Sequence, residues 1–183
     1  MVDAKEKYIE VNLEEDMNNI ILIGMPGAGK STVGVILAKV LGYQFIDSDL
    51  LIQKREKKLL HEIIATQGLD AFIEIENQVN ASIEAEDSII ATGGSVIYGK
   101  EAMEHLRKIG TVIYIKLSYE TLRKRLGNIK QRGVVLKEGQ NLQGLYEERC
   151  PLYEKYCHYE VDAEGMDAEG LVEAINNLMF TNH

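Results

Sequence analysis

Gly24-Met25-Pro26-Gly27-Ala28-Gly29-Lys30-Ser31 fits the spacing G-x-x-x-x-G-K-[ST] without a mismatch. The residue types define the chemistry. Glycines let the backbone curl until successive N–H groups point at one anion. A helix opening at the lysine adds its unpaired N–H groups and the positive end of its dipole. Gly27, Ala28, Gly29, Lys30, Ser31 and Thr32 are therefore the candidate nucleotide-binding positions. Lys30 would bring a point charge to the β and γ phosphates, and the Ser31 hydroxyl would be a ligand for magnesium. The pattern points to ATP or GTP.

A second group of reactive side chains follows at Phe45-Ile46-Asp47-Ser48-Asp49. Neither later apolar run, Ile89-Ile90-Ala91-Thr92-Gly93-Gly94 or Val112 to Ser118, ends in the aspartate that a switch protein or motor would use to hold magnesium. The Asp47 and Asp49 pair stands instead at the end of a short strand, where ligands bind in open α/β sheets. Two carboxylates there can divide the work, one near a metal and one near an acceptor hydroxyl. The competing reading is local: Asp47 caps the next helix and Asp49 favours its first turn.

These groups need a scaffold, and the apolar pattern supplies one. Asn19 to Ile23 is rich in β-branched residues and stops at Gly24, which predicts a strand buried on both faces. Val33, Ile36, Leu37, Val40 and Leu41 form a helical stripe between Gly29 and Leu41, ended by Gly42. A short strand at Phe45-Ile46, a helix from Ser48, and two helical stretches over residues 60–86 broken near Gly68 come next. Ser88 to Ala91 and Thr111 to Leu117 predict two further strands, with a helix from Glu101 to Ile109 between them. Ser118 would cap the helix carrying Leu122 and Leu126. Gly127 to Gln143 suits a loop, followed by a helix, a short strand at Tyr159 to Val161 and a last helix from Asp167 to Met179. Strands alternating with helices imply a mostly parallel α/β sheet, with residues 18–183 as a single domain and 1–17 as a polar extension.

The composition is that of a globular chain: 183 residues, 45% hydrophobic and 27% charged. Twenty Lys and Arg against 29 Asp and Glu give a net charge of −9, so there is no overall basic footprint for nucleic acid. No apolar window is long enough to span a bilayer, and the acidic start lacks the apolar core of a signal peptide. Cys150 and Cys157 lie about two turns apart on one helical stretch and cannot bridge. We expect a cytoplasmic monomer without membrane or nucleic-acid partners. His61, His105, His158 and His183 lack metal-ligand spacing, Tyr114 reads as sheet packing, and the Lys54–Lys58 run as a solvated helix end.

In order and spacing the motifs resemble the shikimate kinase family over residues 18–180. That family's pattern is a phosphate loop, D-[ST]-D, F-R-x-x-E, three glycines, a lid bearing R-P-L, and an Arg before P-x-Y. The matching stretches are Gly24–Ser31, Asp47-Ser48-Asp49, Phe72 to Glu76, Gly93-Gly94-Ser95, Arg132-Gly133-Val134, and Arg149-Cys150-Pro151-Leu152-Tyr153. The resemblance implies a P-loop NTPase-type three-layer fold with a five-stranded parallel sheet, a helical substrate-binding region and a lid. It implies ATP and Mg2+ as cofactors, and a small hydroxylated acceptor, shikimate, as partner. By position, Asp47 would hold magnesium through water and Asp49 would bind and help deprotonate the acceptor hydroxyl. Gly93 and Gly94 would line the acceptor, with Gly94 offering its backbone N–H, and Arg149 would pair with its carboxylate. Arg132 would reach the transferring phosphate and Arg125 would lie over the adenine.

The chain also departs from the pattern. Ile73 stands where the family has the Arg of F-R-x-x-E, so Glu76, which would steady that Arg, is expected to lack its partner. Ser95 replaces the third glycine and Gly133 the lid proline. One lost charged clamp costs about 1.5–3 kcal/mol of binding. The expected activity is ATP-dependent phosphorylation of shikimate to shikimate 3-phosphate. The alternatives are a kinase of the same fold acting on another hydroxy acid or polyol, and a nucleotide-binding regulatory module without transfer activity.

Overall fold

The computed structural model describes residues 18–127, 134 and 136–180. Five strands, β1 (Asn19–Ile23), β2 (Gln44–Asp47), β3 (Ser88–Ala91), β4 (Gly110–Lys116) and β5 (Tyr159–Asp162), form one sheet in the order β2-β3-β1-β4-β5. Every pairing is parallel. The β-branched runs that predicted buried strands are buried throughout: all five residues of β1 and all four of β3 are inaccessible to solvent. Parallel strands demand this, because helices cover both faces.

Eight α-helices accompany the strands among the described residues: α1 (Lys30–Leu41), α2 (Ser48–Glu56), α3 (Leu60–Gln67), α4 (Leu69–Ala81), α5 (Lys100–Ile109), α6 (Tyr119–Leu126), α7 (Leu142–Tyr156) and α8 (Ala168–Phe180). Most expected boundaries hold to within a residue or two, but α4 ends at Ala81, short of the expected helical limit at residue 86; two expected caps are seen. Ser118 accepts from the Thr121 N–H at the start of α6, and Gly42 closes α1 in the left-handed conformation with φ +72°. Helices lie on both sheet faces. Gly34 of α1 packs against Phe45 and Ile89, on the same face as Ile20. Tyr153 of α7 stacks on Tyr114, whose partner in the register is Ile23, on the opposite face. The main core runs through the sheet between these layers, while Ile52, Ile63, Phe72 and Val79 form a second small core that ties α2, α3 and α4 together. No helix among the described residues is long and apolar enough to cross a membrane.

The topology gathers three loops at one end of the sheet. Gly24 follows β1, Asp47 is the last residue of β2, and Thr92-Gly93-Gly94 follows β3. All three lie at the carboxyl ends of neighbouring strands.

Candidate active site

The loop between β1 and α1 has the shape its sequence requires. Gly29 is the N-cap of α1 with φ +92°, a conformation that side-chain-bearing residues rarely adopt, and its carbonyl accepts from Val33. Gly24 runs so close to β4 that a Cβ there would lie 2.8 Å from the Ile115 carbonyl oxygen. Lys30 is buried and donates to the carbonyl oxygens of Gly24 at 2.7 Å and Met25 at 2.9 Å, so its stem arches over the loop. Burial lowers its pKa to about 8, while Asp49 pulls it back upward. It remains a cation at neutral pH and sits among the groups that would meet phosphate.

Asp47 caps the next helix and also faces the phosphate loop. Its Oδ1 accepts from the Asp49 N–H at 2.9 Å and so caps α2, while its Oδ2 accepts from the Ser31 hydroxyl at 3.3 Å. A hydroxyl and a carboxylate are thus placed side by side at the mouth of the loop. Such hard oxygen donors suit magnesium, which takes few protein ligands and fills the rest of its shell with water and phosphate oxygens. The residues present fit that ion. Asp49 lies two residues further on in the first turn of α2, and its pKa is raised by burial and by the charge of Asp47, with Lys30 opposing. A carboxylate shifted this way accepts a proton more readily.

Beyond Asp49 a cavity of about 560 Å³ joins the phosphate loop to the turn after β3, and Lys30, Asp49, Glu76, Gly93, Gly94 and Arg149 all line it. The two glycines are there for space. A Cβ on Gly93 would lie 2.5 Å from Glu76 Oε1 and 2.9 Å from Asp49 Oδ1, and one on Gly94 would lie 3.0 Å from Arg149 Nη1. Arg149 is only 3% exposed, and among the described residues no carboxylate lies within ion-pair distance of it. Leaving a buried cation uncompensated costs several kcal/mol, about 3–5. A cavity that keeps one is built for an anion.

The expectation that Glu76 lacks a partner is corrected. Glu76 is 1% exposed, and the Ser95 hydroxyl donates to its Oε2, while Oε1 has no hydrogen-bond partner. Burial, the largest influence, raises its pKa to about 7 against the opposing Ser95 bond. The departure at Ser95 therefore partners the glutamate that the departure at Ile73 would have left alone. Ile73 does not reach the cavity; it packs against the α2–α4 core.

Of the other candidates, Arg125 Nη1 donates to the Gly27 carbonyl at 3.3 Å, at the edge of the phosphate loop. Arg132 and Gly133 lie outside the described residues. Tyr114 is buried in packing, stacked on Tyr153 at 5.1 Å between ring centres with its hydroxyl donating to Cys150 Sγ, as a sheet residue should be. The Lys54–Lys58 run does end a helix, with Lys57 in the left-handed conformation after Glu56. Gln53 and His61 also line the cavity, from α2 and α3; sequence reading assigned Gln53 no role and raised His61 only as a metal ligand, to set it aside. A lone polar residue on a helix carries no local mark of the cavity it faces.

The family model for shikimate kinase matches residues 26–179. A shikimate kinase of Parabacteroides distasonis is 40% identical over 171 residues, covering 90% of this chain and 98% of the relative. One from Clostridium botulinum strain Eklund 17B is 36% identical over 166 residues, covering 90% and 99%. Among solved structures, the shikimate kinase from Acinetobacter baumannii in complex with shikimate superposes with a TM-score of 0.82 at 32% identity, covering 91% of this chain and 94% of that one. The Aquifex aeolicus enzyme gives a TM-score of 0.77 at 30% identity, covering 89% and 96%.

Proposed function

The chain belongs to the shikimate kinase family, and from that premise we propose that it transfers the γ-phosphoryl group of ATP to a hydroxyl of shikimate. The observation that carries the acceptor assignment is Arg149. It is a buried guanidinium without a carboxylate partner among the described residues, in the same cavity as Asp49 and the phosphate loop. A small hydroxylated carboxylic acid satisfies both ends of that cavity.

In the reaction an acceptor hydroxyl oxygen bonds to the γ phosphorus, the bond to the bridging oxygen breaks, and ADP leaves. Asp49 takes the hydroxyl proton, which its raised pKa favours. Lys30 and the loop N–H groups from Gly27 to Thr32 hold the phosphates, so that catalysis is chiefly positioning and charge neutralisation. Ser31 and Asp47 would hold magnesium, which supplies positive charge to the phosphate oxygens when bound. Arg132 would contribute charge to the transferring group and Arg125 would border the nucleotide base. Gly93 and Gly94 line the acceptor, and Arg149 pairs with its carboxylate. Residues 18–183 act as one kinase domain with 1–17 as a polar extension.

One observation favours a second reading. Ile73 packs against an apolar core where the family pattern has a second guanidinium, so among the described residues a single arginine lines the acceptor cavity. That suits a hydroxy acid other than shikimate. Acceptor-dependent ADP release decides: shikimate should outpace other hydroxy acids and polyols, and Asp49→Asn should keep ATP binding but lower turnover about 10²-fold or more. Preference for another acceptor would establish the second reading. Release of no ADP above background with any acceptor would remove the kinase assignment.

A further inference from the structure

Arg149 is held from one side by groups outside the family pattern. Its Nε donates to the Tyr98 hydroxyl at 3.4 Å, and its Cζ lies 5.4 Å from the centre of the Tyr98 ring. Tyr98 closes the short 3₁₀ turn (Val96–Tyr98) that follows the glycine pair, so it and Gly94 approach the guanidinium from one segment. The Tyr98 hydroxyl in turn donates to Glu148 Oε1 at 2.5 Å. Glu148 is fixed by two further groups: Gln140 Nε2 donates to Oε2 at 3.0 Å, and Lys137 Nζ, 5.9 Å from the centre of the Tyr98 ring, lies 3.4 Å from Oε1. Hydrogen bonding from Tyr98 is the largest influence holding the Glu148 carboxyl below its ordinary pKa, so it stays ionised.

We propose that Tyr98 and Glu148 are positioning residues for the acceptor: the chain Arg149–Tyr98–Glu148 orients the guanidinium and delivers a carboxylate's charge at one remove, leaving its outer face for the acceptor carboxylate. The chemistry explains why a tyrosine stands between the two ions. A carboxylate bonded directly to Arg149 would compete with the acceptor for the same fork. A phenol instead accepts from Nε, presents its ring to the cation and passes its own proton toward Glu148. The guanidinium is thereby steadied without being neutralised. The arrangement also fixes it along one edge, which matters where Arg149 must give directional recognition. The part played by the acceptor carboxylate rests on the proposed function; the orientation of Arg149 does not.

Two measurements test this. In 15N-labelled protein the Arg149 Nε–H signal, assigned by its loss in Arg149→Lys, should be shifted and slow to exchange, and Tyr98→Phe should move its shift and speed its exchange relative to the parent. In steady-state kinetics Tyr98→Phe and Glu148→Gln should each raise the shikimate KM about fivefold or more, with the ATP KM unchanged and kcat altered less than the shikimate KM. A purely structural role would instead move both KM values and the melting temperature together. An Arg149 signal that keeps its parental shift and exchange rate in Tyr98→Phe overturns the proposal, and so does a shikimate KM within twofold of the parent in both variants. If the parent fails to phosphorylate shikimate, the acceptor assignment falls and the NMR result alone judges the relay.

Discussion

Ser95 donates a hydrogen bond to Oε2 of Glu76, so a buried carboxyl that the sequence pattern would pair with a guanidinium is held by a hydroxyl on the turn after β3. The substitution changes the charge of the acceptor cavity as well as its shape. A guanidinium would keep Glu76 ionised, whereas a hydroxyl in a desolvated wall lets its pKa rise to about 7.

That shift gives a pH signature. A carboxyl whose folded pKa lies above its unfolded value stabilises the fold fully below about pH 4.5, and the contribution is lost as pH rises through about 7. The loss is on the order of 3 kcal/mol. Glu76→Gln, which can still accept from Ser95, should be as stable as the parent near pH 4.5 and more stable at pH 8. Urea unfolding at the two pH values checks this; equal pH dependence in both proteins would mean that Glu76 is ionised throughout.

Ile73→Arg tests what the missing guanidinium costs. Its stem can stay on the α2–α4 core while its head reaches Glu76, three residues along the same face of α4. The shikimate KM should fall about tenfold, the scale of one charge-assisted hydrogen bond. No improvement in a folded, ATP-binding variant would move the assignment to a different acceptor.

Lys30→Ala should abolish most of the rise in melting temperature caused by magnesium and ATP. At a hundredfold excess over Kd the parent should gain roughly 5–10 °C. A variant that keeps the full gain would show that the phosphates are held elsewhere.

Gly93→Ala should separate binding from turnover. The added methyl would press on both Glu76 Oε1 and Asp49 Oδ1, so one carboxyl must move. We expect kcat to fall at least about tenfold with the ATP KM near that of the parent, because misplacing a reacting group costs rate steeply. Retention of parental kcat would mean that the Asp49 position is not critical.

The phosphate loop, the Asp47–Asp49 pair and nearly every helix and strand were legible in the chain itself, for one physical reason. Each is made by residues close together in sequence: eight consecutive residues shape the Gly24–Ser31 cradle, and continuous apolar runs or helical spacing shape the elements that carry it. What tertiary structure decided are the pairings that join distant segments. Ser95 and Glu76 lie 19 positions apart, and Tyr98 and Arg149 lie 51 apart. Their meeting depends on how α4 and α7 pack beside the turn after β3, and no spacing in the chain encodes a hydrogen bond between separate elements. The same holds for Ile73. Its sequence position says that a guanidinium is absent, but only the packing of α2, α3 and α4 sets its side chain against an apolar core, so that among the described residues Arg149 is the one arginine lining the cavity.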